Sequence, residues 1–221
     1  MTLSQRLWIT MAPTYAEILR HPFLAGLTDG TLAPDRFAFY VTQDARYLVD
    51  YARALAVLAG KASEPEQVAM FARHAAGALE VERELHTSLL PELGFDPSVV
   101  AAAESAPTTL AYTSYLLATA YGGDFADGVA AVLPCYWIYA EVGKALVGRG
   151  SPDPRYARWI DTYAGEEFAL VVDEVLAVVD EIGTHVSPVQ EARLHLHAAI
   201  ATRYEWLFWD MAWREEKWPI A

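Results

Sequence analysis

Apolar residues recur at spacings of three and four along most of this chain, a pattern that predicts amphipathic helices and leaves no convincing strand, hairpin or internal repeat. The clearest case is residues 34–61, where Phe37, Tyr40, Val41, Leu48, Tyr51, Leu55 and Leu58 share one face. Pro34 suits the first helical position, where its missing N–H goes unnoticed, and Gly60 marks the far end. At about 1.5 Å per residue this helix is roughly 40 Å long, enough to span a whole domain. Asp44 falls where the seam asks for another apolar residue, one turn from Tyr40, Val41 and Leu48. A carboxylate facing a core is costly unless it is paired, hydrogen-bonded or serving a ligand.

The same reading places a helix over 3–20, interrupted near Pro13 and ended by His21-Pro22, then a loop over 23–32 carrying Gly26, Asp29 and Gly30. Ser63 caps a helix that opens at Pro65 and runs to Leu93, with Gly94 as its stop. A short helix follows over 97–104, another from Pro107 to Tyr121, and a third over 124–147 with Pro134 inside it. The stretch GRGSPDP is a loop, residues 153–183 form two helices broken near Gly165, and Ser187-Pro188 starts a last long helix over 189–217. No linker divides the chain, so residues 1–221 are expected to form a single all-α helical bundle with long central helices and short connections.

Composition narrows the function. The chain has 221 residues, 54% of them hydrophobic, so it can bury a sizeable core without staples. Its formal charge of −13 argues against nucleic acid and against anionic membrane surfaces, since either needs a basic patch. Cys135 is the one cysteine, which excludes an intramolecular disulfide and fits a reducing compartment. The N-terminus lacks the pattern of a signal peptide, and the longest apolar run, Val129 to Ala140, is too short to cross a bilayer. The expectation is a soluble cytoplasmic protein with a small-molecule partner.

The informative residues are polar ones on inward faces. Helix 124–147 carries the stripe Val132, Cys135, Tyr139, Val142, Leu146, with Cys135 directly after Pro134, which kinks a helix one turn earlier. A buried cysteine is often a small hydrophobe and nothing more. The last helix carries Leu194, Ala198, Ala201, Glu205, Phe208, Ala212, so Glu205 is a second carboxylate on an apolar seam. Structural ion pairs offer a plain alternative for both acids, with Arg46 or Arg53 for Asp44 and Arg203 or Arg214 for Glu205. Tyr47, Tyr51, Tyr112, Tyr115, Tyr139 and Tyr163 gather on the same faces, where their rings can stack on a flat heterocycle and their hydroxyls orient it.

Other chemistries lack their residues. A di-iron bundle needs Glu-x-x-His pairs, absent from the segment Glu80 to His86 and after Glu166-Glu167. His195 and His197 stand two apart and point in different directions on a helix, so no metal site is expected. No glycine-rich phosphate loop, nucleophile elbow or kinase set appears.

With Asp44 and Tyr47 in QDARYL, Cys135 and Tyr139 in LPCYWIYAEVG, Tyr163 in WIDTYAGEEF, and Glu205 and Phe208 in RYEWLFWD, the chain resembles the TenA/thiaminase II family, in its cysteine-bearing branch, over essentially its whole length. The resemblance implies a haem-oxygenase-like fold, a homotetramer, no cofactor, and hydrolysis of 4-amino-5-aminomethyl-2-methylpyrimidine, and of thiamine itself, in thiamine salvage. It implies Cys135 as nucleophile and Glu205 as proton donor, with Asp44, Tyr47, Tyr112, Tyr139, Tyr163 and Phe208 binding the pyrimidine. The chemistry agrees: thiolate addition to the ring carbon beside the methylene breaks aromaticity, and a proton must then arrive on a ring nitrogen. A non-catalytic pyrimidine-binding or regulatory protein of the same fold is the alternative. No cationic residue lies beside Cys135 in sequence to lower its pKa, which leaves its activation open.

Overall fold

The computed structural model describes residues 1–84, 90–94, 96 and 102–220, and no strand occurs among them. The helices are α1 (Leu3–Ile18), α2 (Pro22–Asp29), α3 (Pro34–Lys61), α4 (Pro65–Glu84), the single turn α5 (Leu90–Glu92), α6 (Pro107–Gly122), α7 (Phe125–Val147), α8 (Pro154–Ala164), α9 (Glu166–Ile182) and α10 (Pro188–Arg214). Proline opens α2, α3, α6, α8 and α10, where its fixed φ helps and its missing N–H costs nothing. Thr2, Asp124 and Ser187 each close a capping box with the residue three positions on, which satisfies the otherwise orphaned N–H groups of α1, α7 and α10.

Several boundaries differ from the sequence expectation. Pro13 does not interrupt α1, which continues through it from Leu3 to Ile18. The proline deletes one hydrogen bond, to the carbonyl of Ile9, and that residue is exposed to water. Residues 23–32 are not a loop: α2 occupies Pro22–Asp29, with His21 capping Phe23 N–H and Gly30 ending the helix at φ 75°. The His21-Pro22 pair that stops α1 is also a helix start. The last helix ends at Arg214 rather than 217, because Glu215 takes the left-handed conformation at φ 49°. Of the helix expected from Pro65 to Leu93, the stretch 85–89 lies outside the described residues, as does most of the short helix expected over 97–104; residues 103–104 carry no helix.

The long helices α3 and α10 pack together with α6 and α7, while α4 lies along α3, α8 against α7, and α1 against α10. The predicted seams face inward. Phe37, Tyr40, Val41 and Leu58 of α3, Val132 and Val142 of α7, and Leu194, Ala198, Ala201 and Ala212 of α10 are all buried. Leu48 is half-buried. The approach of α8 to α7 depends on Gly143, where a Cβ would stand 2.5 Å from the Tyr163 carbonyl carbon and 2.6 Å from Ala164 N. That missing side chain lets the end of α8 bring Tyr163 against Tyr139, ring centroids 4.8 Å apart.

Candidate active site

Four helices send polar and aromatic side chains into one part of the core. Helix α3 supplies Asp44, Tyr47 and Tyr51, α6 supplies Tyr112, α7 supplies Cys135, Tyr136 and Tyr139, and α10 supplies Glu205 and Phe208. They converge because each occupies a position on its helix whose neighbours one turn away are apolar and buried.

Cys135 sits against the core but keeps partial access, unlike its buried stripe partners Val132 and Tyr139. Burial, followed by the nearby Glu205 and Asp44 carboxyls, pushes its thiol well above the usual range, while the Tyr47 and Tyr51 hydroxyls pull it back. The Tyr47 hydroxyl is buried beside the thiol, near enough to favour the thiolate, yet in the resting protein it makes no well-formed hydrogen bond to any described residue. A buried polar atom left without a partner is costly, and here it stands next to a thiol, where a ligand can satisfy it.

Glu205 is 2% exposed and accepts a 2.5 Å hydrogen bond at Oε1 from the Tyr112 hydroxyl. Burial pushes its carboxyl up to about 8, against the pull of Tyr112 and with help from Asp44. Asp44 is 6% exposed, and burial pushes it up to about 7, with no cation or hydrogen bond among the described residues opposing it. Among the described residues neither acid shows an ion pair of the kind the alternative required. Arg53 turns to Asp50, and Arg214 to Asp210 and Glu216. At neutral pH the site therefore holds a protonated glutamate and an aspartate near its midpoint, a setting that can give a proton and bind an amino group.

Aromatic rings enclose these groups. Tyr47 lies 5.1 Å from Tyr112 and 5.5 Å from Phe208, centroid to centroid. On the other side Tyr139 packs 5.0 Å from Trp209, and its hydroxyl accepts a 3.1 Å hydrogen bond from Tyr40. Tyr163 is partly accessible and lies 4.8 Å from Trp159. The two sets meet at Phe208, whose ring also stands 5.8 Å from Tyr40. The candidate residues Asp44, Tyr47, Tyr112, Cys135, Tyr139, Tyr163, Glu205 and Phe208 thus belong to one contiguous cluster.

Sequence reasoning passed over other members. Tyr40 and Trp159 line the wall, and His74 reaches the cluster from α4 through the Tyr136 hydroxyl, 3.1 Å away. The signal for His74 was its position one turn after Met70 and Phe71, both buried. His195 and His197 face different partners, Thr10 at 2.6 Å and Tyr115 at 2.7 Å, as their spacing requires. No described helix is long and apolar enough to cross a membrane.

Comparison with known proteins places this cluster in a context. The chain is 37% identical over 220 residues to the aminopyrimidine aminohydrolase of Halalkalibacterium halodurans, covering 99% of this chain and 98% of that protein. Among solved structures it is similar to the TenA homologue from P. horikoshii OT3, with TM-score 0.83 and 30% identity over 97% of this chain and 99% of the other. A domain with a heme oxygenase-like fold from Shewanella denitrificans superposes with TM-score 0.76 at 18% identity over 96% of this chain and 92% of the other, which extends the likeness of fold alone. The TENA/THI-4/PQQC family model matches residues 8–215. With that match running from α1 to the end of α10, the chain belongs to the TENA/THI-4/PQQC family.

Proposed function

We propose that this chain is an aminopyrimidine aminohydrolase, a C–N hydrolase that converts 4-amino-5-aminomethyl-2-methylpyrimidine and water to the 5-hydroxymethyl pyrimidine and ammonia in thiamine salvage. The observation that carries this reading is the meeting of one partly accessible thiol with two buried carboxyls that show no ion pair among the described residues, beside a buried phenol that finds no partner among them. The aminohydrolase name of a relative that matches nearly end to end supports it.

The roles follow from the chemistry. Cys135 Sγ adds to the ring carbon next to the methylene, and Glu205, protonated at neutral pH, delivers its proton to the ring nitrogen that gains electron density. The substrate's amine, carried as its ammonium, then departs from the methylene as ammonia; water adds there and releases its surplus proton to solvent; and as the C–S bond breaks the ring N–H proton returns to Glu205 and the ring regains aromaticity. Asp44 holds the exocyclic amino group and fixes the ring's orientation. Tyr47, Tyr112 and Tyr139 hydrogen-bond or stack, and Tyr163 and Phe208 form walls for the flat ring. A low-dielectric enclosure strengthens each of these polar contacts.

The chain is proposed to act as a single domain and as a homotetramer in the cytoplasm. Exposed Trp218 and Ile220 offer apolar surface for a subunit contact, whereas Trp213 is half-buried under the Arg36 guanidinium at 3.9 Å and is less suited to it. Sedimentation tests the assembly. For the activity, an ammonia-release assay with the aminomethyl pyrimidine is expected to show turnover by the wild type. Binding without ammonia would instead favour a pyrimidine-binding or regulatory protein.

A further inference from the structure

The proposed chemistry leaves one requirement unmet. Burial and two neighbouring acids oppose thiolate formation, and the groups among the described residues that act most strongly on Cys135 include no lysine, arginine or histidine. The thiol proton must therefore leave by another way. Behind the cysteine, on the side of α4, lies a line of hydrogen-bonding side chains that the roles above do not use.

Tyr51 neighbours both Cys135 and Tyr136, its ring centroid 5.7 Å from that of Tyr136, and its hydroxyl donates to the Val132 carbonyl at 3.1 Å in the resting protein. The Tyr136 hydroxyl meets His74 Nδ1 at 3.1 Å. His74 Nε2 meets Glu174 Oε2 at 2.9 Å, and Arg73 holds the same carboxylate at 2.8 and 2.9 Å. A carboxylate only accepts, so Nε2 carries the imidazole hydrogen and Nδ1 presents a lone pair to the Tyr136 hydroxyl. His74 is buried while Glu174 is 44% exposed, so the line runs from the core to the surface.

We propose that Tyr51, Tyr136 and His74 form a relay that draws the proton from Cys135 toward the His74–Glu174 pair, with His74 as a positioning residue that sets thiolate formation. This rests on the reading of Cys135 as nucleophile. As Sγ bonds the ring carbon, the S–H bond breaks and its proton passes to the Tyr51 oxygen. The Tyr51 hydroxyl turns from Val132 to Tyr136 and gives up its own proton, and Tyr136 gives its proton to His74 Nδ1. Both phenols end neutral; one thiol proton is lost and one imidazolium is gained, paired with the Glu174 carboxylate. Proton return by the same path recharges the thiol when the C–S bond breaks.

The groups around His74 suit this task. Burial, the largest influence, and Arg73 lower its pKa, while Glu174 raises it, so the imidazole is neutral and ready to accept near neutral pH. Among the described residues its other contacts include the Tyr136 hydroxyl and the ring of Phe71, whose centroid lies 6.4 Å from that of His74. Once protonated, the imidazolium has its counter-ion already in contact.

Alkylation by iodoacetamide reads the thiolate directly, because Cys135 is the chain's one cysteine. Its rate is to be followed from about pH 6 to about pH 10, around the usual thiol range, in the wild type and in His74→Gln, Tyr136→Phe and Glu174→Gln. The relay predicts alkylation curves shifted upward by about one pH unit in all three variants, and kcat for ammonia release reduced by on the order of 100-fold in His74→Gln and Tyr136→Phe with KM unchanged. Curves that superimpose on the wild type in folded Tyr136→Phe and Glu174→Gln overturn the proposal. Glu174 is half-exposed, so its variant carries the test even where His74→Gln fails to fold. Alkylation needs no pyrimidine: shifted curves in a protein that releases no ammonia sink the proposed function and leave the relay standing.

Discussion

The Tyr112 hydroxyl and Glu205 Oε1 lie 2.5 Å apart, joining α6 to α10 across 93 residues of chain, and the phenol is the donor. Donation to the carboxyl stabilises its charged form, so Tyr112 holds Glu205 below the value that burial alone sets. Tyr112→Phe is therefore expected to move the alkaline limb of the rate profile to higher pH. Glu205→Gln should abolish the glutamate-dependent limb and lower kcat by on the order of 100-fold or more, with a smaller change in KM. Steady-state ammonia release across pH checks both; an unshifted limb in Tyr112→Phe removes Glu205 from the role of acid.

The raised carboxyls also bear on stability. Glu205 titrates near 8 folded and near its ordinary 4.5 unfolded, so between those values the folded state keeps a proton that the unfolded chain has released. Stability contributed by the neutral acid is complete at and below pH 4.5 and is lost as pH rises through 8. Asp44 acts with the same sign between 3.8 and about 7. Urea midpoints should fall from about pH 5 to about pH 8, and Glu205→Gln should flatten the decline. A wild-type slope retained in Glu205→Gln contradicts the assignment.

Tyr47 separates function from stability. Its hydroxyl makes no well-formed hydrogen bond among the described residues, so removing it deletes a buried unsatisfied group. Tyr47→Phe is expected to be as stable as the wild type or more so, within about 1 kcal/mol, yet to bind the pyrimidine more weakly, by on the order of 10-fold. Thermal melts set beside pyrimidine titration test this. A marked loss of stability shows that the hydroxyl serves the fold.

Gly143 ties the backbone of α7 to the placement of Tyr163. A methyl group there meets backbone atoms at 2.5 and 2.6 Å, and backbone cannot rotate aside. Gly143→Ala gains about 1 kcal/mol in helix propensity but overpacks the α7–α8 contact at a cost of about 1–3 kcal/mol. The expected result is a lower urea midpoint and a higher KM, since Tyr163 moves with α8. An unchanged KM frees the site from this contact.

The seams that carry the site were readable in the chain because a charged or reactive side chain on a 3.6-residue apolar stripe has few places to go. Asp44 between Val41 and Leu48, Glu205 between Ala201 and Phe208, and Cys135 between Val132 and Tyr139 each announced an inward face. The α2 helix was hidden by a double meaning, since His21-Pro22 both ends α1 and caps the next helix. His74 was hidden for a different reason. Its partners Tyr136 and Glu174 lie 62 and 100 residues away, and only the packing of α4 beside α3 and α9 brings them together. Local spacing says which way a residue faces but not what it meets.

The central claim is that Cys135 does covalent chemistry at this site. Cys135→Ser changes one atom and keeps the volume, so the cluster and its pyrimidine site should survive. Ammonia release from the aminomethyl pyrimidine, measured together with pyrimidine affinity in wild type and Cys135→Ser, is the direct test. The expected result is loss of turnover by a factor on the order of 1000 or more with affinity kept within a few-fold. Turnover at the wild-type rate in the serine variant would contradict the account.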